Sequence, residues 1–148
     1  LSMLNARWIR FAALALTALV VGSLPAPARA DVVARISLSA QEMVVYVDGV
    51  ARYGWAVSTA RAGYRTPVGS FRPTRMHTMW YSKKYDNAPM PSSIFFHGGY
   101  AVHGTQHIRS LGRPASHGCV RLDPNNARTL YSLVKSSGME NARIIITR

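Results

Sequence analysis

Polar and apolar positions alternate in Val32-Val33-Ala34-Arg35-Ile36-Ser37-Leu38-Ser39, which puts Ile36 and Leu38 on one side of an extended chain. Glu42 to Val47 (EMVVYV) is a β-branched and aromatic run, and Asp48-Gly49 after it is a two-residue hairpin signal. Val50 to Ser58 (VARYGWAVS) returns as a second strand, so the pattern predicts an early β-hairpin. In Arg65 to Phe71, Pro67 and Gly69 set a turn that leads into a short strand. Ile94-Phe95-Phe96 and Tyr100-Ala101-Val102-His103 read as two more strands around Gly98-Gly99.

Two stretches break this β pattern. From Met76 to Ser93 no clean period appears, although Met79, Trp80, Tyr81, Tyr85 and Met90 make the stretch rich in large side chains; it reads as a long irregular loop, able to act as a lid. After Asp123 the period changes to that of a helix. Asp123 is the cap, Pro124 the first position, and Ala127, Leu130, Tyr131 and Val134 fall at i, i+3, i+4 and i+7, with Gly138 as the stop. Ala142 to Thr147 (ARIIIT) is a closing buried strand. The prediction is a mainly β domain with one helix after the region of Cys119.

The first thirty residues follow a different rule. Arg7 and Arg10 precede an eleven-residue apolar run, Phe11 to Val21; Pro25 and Pro27 follow, and Ala28-Arg29-Ala30 has the small-x-small form of a cleavage site. The run is short of the ~20 apolar residues that span a bilayer. Residues 1–30 are therefore expected to be a cleaved signal peptide, and residues 31–148 one domain with no later membrane span, placed in the periplasm or outside the cell. The chain has 18 Lys+Arg against 6 Asp+Glu; without Arg7, Arg10 and Arg29 the net charge is +9. Such a balance suits a polyanionic partner. Export argues against nucleic acid and leaves an anionic membrane face, an anionic cell-wall polymer or a solvated basic surface.

Export also changes the reading of the single cysteine, Cys119, which has no intramolecular disulfide partner and is either an inert core thiol or a reactive one. It stands in Ser116-His117-Gly118-Cys119-Val120-Arg121-Leu122, with His103-Gly104-Thr105 upstream and twelve residues between His103 and Ser116. A thiol near pKa ~8.5 needs a base to work at neutral pH. His103 and His117 are both candidates, and spacing does not choose between them. Gly118 permits a tight turn in which the N–H groups of residues 118 and 119 can face a developing oxyanion. Arg121 can pair with a substrate carboxylate, and Ser116 can hydrogen-bond a histidine or the substrate. His103, His107, His117 and Cys119 could make a four-ligand zinc set, but Gly104 at a strand end speaks against helical i, i+4 geometry, so no metal and no cofactor is expected.

At these residues the chain resembles the L,D-transpeptidases of the YkuD-domain family, over nearly all of residues 32–148. Thr66-Pro67-Val68-Gly69-Ser70-Phe71, Val57-Ser58-Thr59 and the early hairpin add to the resemblance. It implies a compact mixed β-sandwich around the cysteine loop. It also implies acyl transfer on peptidoglycan stem peptides: Cys119 as nucleophile, His103 as base oriented by the Gly104 carbonyl, His117 shaping the oxyanion site or pocket, and Arg121 holding a substrate carboxylate or bracing the loop. A 3→3 cross-link forms when the acceptor is a stem amine. Water would make the protein an L,D-carboxypeptidase or endopeptidase, and the amine of an envelope anchor protein would tether that protein. A non-catalytic envelope-binding protein on the same fold is the competing class.

Overall fold

The computed structural model describes Gly22 and residues 30–148; the expected signal segment otherwise lies outside the described residues. Among the described residues, nine strands and one α-helix follow in chain order. Strands β1 (Val32–Ser37), β2 (Glu42–Val47) and β3 (Val50–Ala56) form a meander, with β4 (Gly69–Phe71) after it. Then come β5 (Arg75–Ser82), β6 (Ala88–His97), β7 (Tyr100–Gly104), β8 (Val120–Leu122), helix α1 (Pro124–Ser137) and β9 (Ala142–Thr147). One sheet has the order β3-β2-β1-β9-β4 and the other β5-β6-β7-β8. Both are mixed, since β1 pairs parallel to β9 and β7 parallel to β8 while the other pairings are antiparallel.

The β2–β3 turn forms at Asp48-Gly49, with φ of 50° and 80°, the two positive values that a type I′ hairpin requires. Period two holds in β1, where Val32, Ala34 and Ile36 are buried, and in β9, where Ala142, Ile144 and Ile146 are. These side chains pack with Ile94, Phe96, Val102, Val120 and Leu122 of the second sheet and with Ala127, Leu130 and Val134 of α1 in one core. Complete burial of each large aliphatic side chain here is worth about 1.5–3 kcal/mol. Helix α1 starts where predicted: Asp123 accepts a hydrogen bond from the Asn125 N–H at 2.8 Å, and Gly138 follows its last residue with φ of 91°.

The stretch from Met76 to Ser93 is not an irregular loop. It is most of a long β-hairpin, β5–β6, paired from Arg75↔Phe95 to Ser82↔Ala88. Pro89 and Pro91 are tolerated because β7 pairs with β6 only from Ile94 to His97, so the proline half of β6 has a single neighbour. The pattern of the hairpin is blurred because it leaves large apolar groups outside; Met79 and Tyr81 are both exposed.

Candidate active site

Alternation along β7 and β8 builds the site. The parallel register pairs Val102 with Val120 and His103 with Arg121. Val102, Val120 and Leu122 point into the core, so His103, Arg121 and the adjoining Cys119 share the opposite face. On that face a second, smaller cluster of Met90, Phe95 and Ala101 packs with Trp80 and Cys119. A cleft of about 710 Å³ opens above it, lined by Cys119, His103, Arg121, His117, Tyr85 and Trp80 among others.

His103 is buried, and its Nδ1 lies 2.7 Å from the Gly104 carbonyl oxygen. A carbonyl only accepts, so Nδ1 carries the proton and Nε2 is left as the basic nitrogen. Burial lowers the pKa of His103 to about 4, aided by the Arg121 charge and opposed by the Gly104 hydrogen bond. Burial pushes the Cys119 thiol up, against the smaller opposing effects of the Ala101 N–H and of Arg121. The resting pair is therefore neutral thiol and neutral imidazole. Gly104 is tightly enclosed: a Cβ there would lie 3.1 Å from both Pro124 and Pro91.

The residues before Cys119 form a bent loop rather than a strand, and β8 begins only at Val120. Ser116 is fully buried and braces that loop: its hydroxyl donates to the Cys119 carbonyl at 2.7 Å and accepts from the Gly118 N–H at 3.0 Å. Neither bond goes to a histidine. The Gly118 N–H is thus occupied, and of the two expected oxyanion donors only the Cys119 N–H lacks a hydrogen bond among the described residues. Gly118 itself has φ of 136°, and a Cβ would come within 2.6 Å of the Tyr100 ring. The buried Thr66 hydroxyl completes the brace, donating to the Gly118 carbonyl at 2.8 Å and accepting from the Ala60 N–H at 3.0 Å. On the far side of β8, Ser58 and Arg121 exchange backbone hydrogen bonds of 2.8 and 3.0 Å.

His117 is placed differently from His103. It is half-buried at the rim, its ring stacked on Tyr85 at 4.2 Å and tilted against Tyr64 at 4.7 Å. Its pKa is lowered by desolvation and then by Arg61, Arg121 and Lys84. Arg121 is half-buried, and burial lowers its own pKa. His107 is exposed ahead of a short 3₁₀ turn, Ile108–Ser110, so it does not stand one helical turn from His103. Thr66, Tyr85 and Tyr64 were not among the predicted site residues. The aromatic content of the Met76–Ser93 stretch is the one signal that pointed near Tyr85; nothing in the local sequence marks Thr66 as a brace.

A family model described as the L,D-transpeptidase catalytic domain (YkuD) matches residues 31–146. This chain belongs to that family. Among solved structures it is similar to an L,D-transpeptidase from Mycobacterium smegmatis, at 23% identity and a TM-score of 0.72, over 80% of this chain and 59% of that one. It is also similar to L,D-transpeptidases from Stackebrandtia nassauensis (26% identity, TM-score 0.70, 80% and 56% covered) and Xylanimonas cellulosilytica (28%, 0.65, 85% and 65%). The chain thus spans about three fifths of the length of these structures. No curated protein sequence matches it. Among the described residues, the two mixed sheets with a single α-helix are the fold expected of a YkuD domain, and no helix is long and apolar enough to cross a membrane.

Proposed function

We propose that this YkuD domain is an exported L,D-transpeptidase that forms 3→3 cross-links between peptidoglycan stem peptides through a thioester on Cys119. The observation that carries the reading is His103 on the same sheet face as Cys119, with Nδ1 fixed on the Gly104 carbonyl and Nε2 left basic. Imidazole fixed by a carbonyl and not by a carboxylate suffices for a thiol, which ionises more readily than a hydroxyl.

In the first step the Cys119 proton passes to His103 Nε2 as sulfur attacks the carbonyl carbon between the diamino acid and the terminal D-alanine. The Cys119 N–H, which has no hydrogen-bond partner among the described residues, serves as the oxyanion donor. The carbon–nitrogen bond then breaks, and His103 returns its proton to the departing D-alanine amine. In the second step an amine of another stem attacks the thioester and gives its proton to His103; the carbon–sulfur bond breaks, and His103 passes the proton to the departing Cys119 sulfur. Arg121 meets a donor carboxylate, and the β5–β6 hairpin tip, resting on His117 through Tyr85, screens the thioester from water. The amine of an envelope anchor protein is a chemically equivalent acceptor. The leader-like residues 1–30 support action in the periplasm or at the cell wall.

Mass spectrometry of the protein incubated with a disaccharide-tetrapeptide tests this. The expected product is a cross-linked dimer that has lost one D-alanine. Tripeptide monomer without dimer would make water the acceptor, and unchanged substrate would overturn the reading.

A further inference from the structure

Beside the cleft runs an aromatic stack whose flanking charges the acyl-transfer chemistry does not use; Lys84, Tyr85 and His117 line the cleft, and Arg61 and Tyr64 adjoin His117 without being among the lining residues. Arg61 lies over the Tyr64 ring at 4.9 Å, Tyr64 touches His117 at 4.7 Å, His117 stacks on Tyr85 at 4.2 Å, and the Lys84 ammonium stands 5.5 Å from the Tyr85 ring. Two separate chain segments, the one after β3 and the β5–β6 turn, thereby bring a cation each to opposite ends of one aromatic stack. Arg121 supplies a third cation from the floor.

These charges are close enough to be felt. Arg61, Arg121 and Lys84 all disfavour protonation of His117, and Arg61 disfavours the charge on Arg121. Lys83 and Arg75 also line the cleft, and Asp86 is the one carboxylate among its lining residues. Cations gathered without matching acids repel one another, and an anionic ligand relieves that repulsion.

We infer that this rim selects donor stem peptides whose internal carboxylates are free over those in which they are amidated, and that Arg61 and Lys84 are the residues that set the preference. The inference rests on the proposed action on stem peptides and narrows it. An amide has the size of a carboxylate but carries no net charge, so the pair of substrates isolates the electrostatic contribution. Because Arg61 and Lys84 are exposed, the preference is screened by salt.

The test compares kcat/KM for a disaccharide-tetrapeptide with its stem carboxylates free and for the amidated form. The free form is expected to lead by about tenfold at low ionic strength, a lead that shrinks as salt is added. Arg61→Gln combined with Lys84→Gln should bring the ratio close to one, and Arg61→Lys with Lys84→Arg should keep it. Equal rates, or a lead for the amidated form, in the unaltered protein overturn the inference and leave the transpeptidase reading standing. A ratio unmoved by the double Gln variant overturns the assignment to Arg61 and Lys84. Failure of both substrates to react overturns both readings.

Discussion

The two faces of the β7–β8 pair differ in chemistry although they alternate along the same few residues. One face is Val102, Val120 and Leu122, dry and close-packed; the other carries His103, Cys119 and Arg121, which line a cleft. The lesson is that a period of two lets a single strand pair be both floor of the core and wall of the site. The rigidity of the first face is handed to the second without a loop between them. Substitutions on the two faces should therefore have separable effects, one on activity and the other on stability.

The largest expected effect is on the cleft face. Cys119→Ala should abolish turnover on stem peptides while denaturation shows stability within about 1 kcal/mol of the parent, since the change removes one sulfur atom from a residue that is partly exposed. An unfolded variant would break the comparison. Leu122→Ala, on the other face, should cost about 2–5 kcal/mol in urea denaturation yet keep the acylation rate well below its melting temperature. Loss of acylation in the folded variant would show that the faces are not separable.

His103 links the two faces through pH. Its folded pKa of about 4 lies below the ordinary value of 6.5, so the unfolded chain takes up this proton first as pH falls. The stability from a neutral His103 is complete above pH 6.5 and is lost progressively as pH drops toward 4, up to about 3 kcal/mol in all. The difference in urea stability between pH 7 and pH 4 should shrink in His103→Asn by an amount of that order. Equal pH dependence in the two proteins would mean that the imidazole is not held neutral. Smaller again, Thr66→Val leaves the Gly118 carbonyl without its donor; about 1–3 kcal/mol of stability should go, together with part of the acylation rate. A full acylation rate would mean that the bend before Cys119 holds without Thr66.

Elements whose stabilising groups are local were legible in the chain. Asp48-Gly49 fixes its own turn, and Asp123, Pro124 and Gly138 bound their own helix. The closing strand also reads directly, because three of its side chains alternate into the core. The β5–β6 hairpin did not read, because Pro89 and Pro91 look like strand breakers until the absence of a second neighbour is known. The Ser-His-Gly-Cys block named the cleft, yet not how its parts divide the work. Ser116 and the Gly118 N–H hold each other, and His117 leans on Tyr64 and Tyr85, which lie 53 and 32 positions earlier in the chain. Partners at such separations leave no local period.

The β1–β9 pairing has a consequence for how the protein is made. Val32 to Ser37 lies in the middle of its sheet, and its parallel neighbour is Ala142 to Thr147. A chain emerging from a ribosome or a translocation pore presents its first strand more than a hundred residues before the strand that must lie beside it. Until then β1 has an unpaired edge, and β4, which bonds only to β9, has no sheet to join. Such long-range closure slows folding and extends the time in which a partly made chain can aggregate or be captured by a chaperone. Vectorial synthesis thus delays assembly of this sheet until β9 has been made, so its first strand waits more than a hundred residues for its parallel partner.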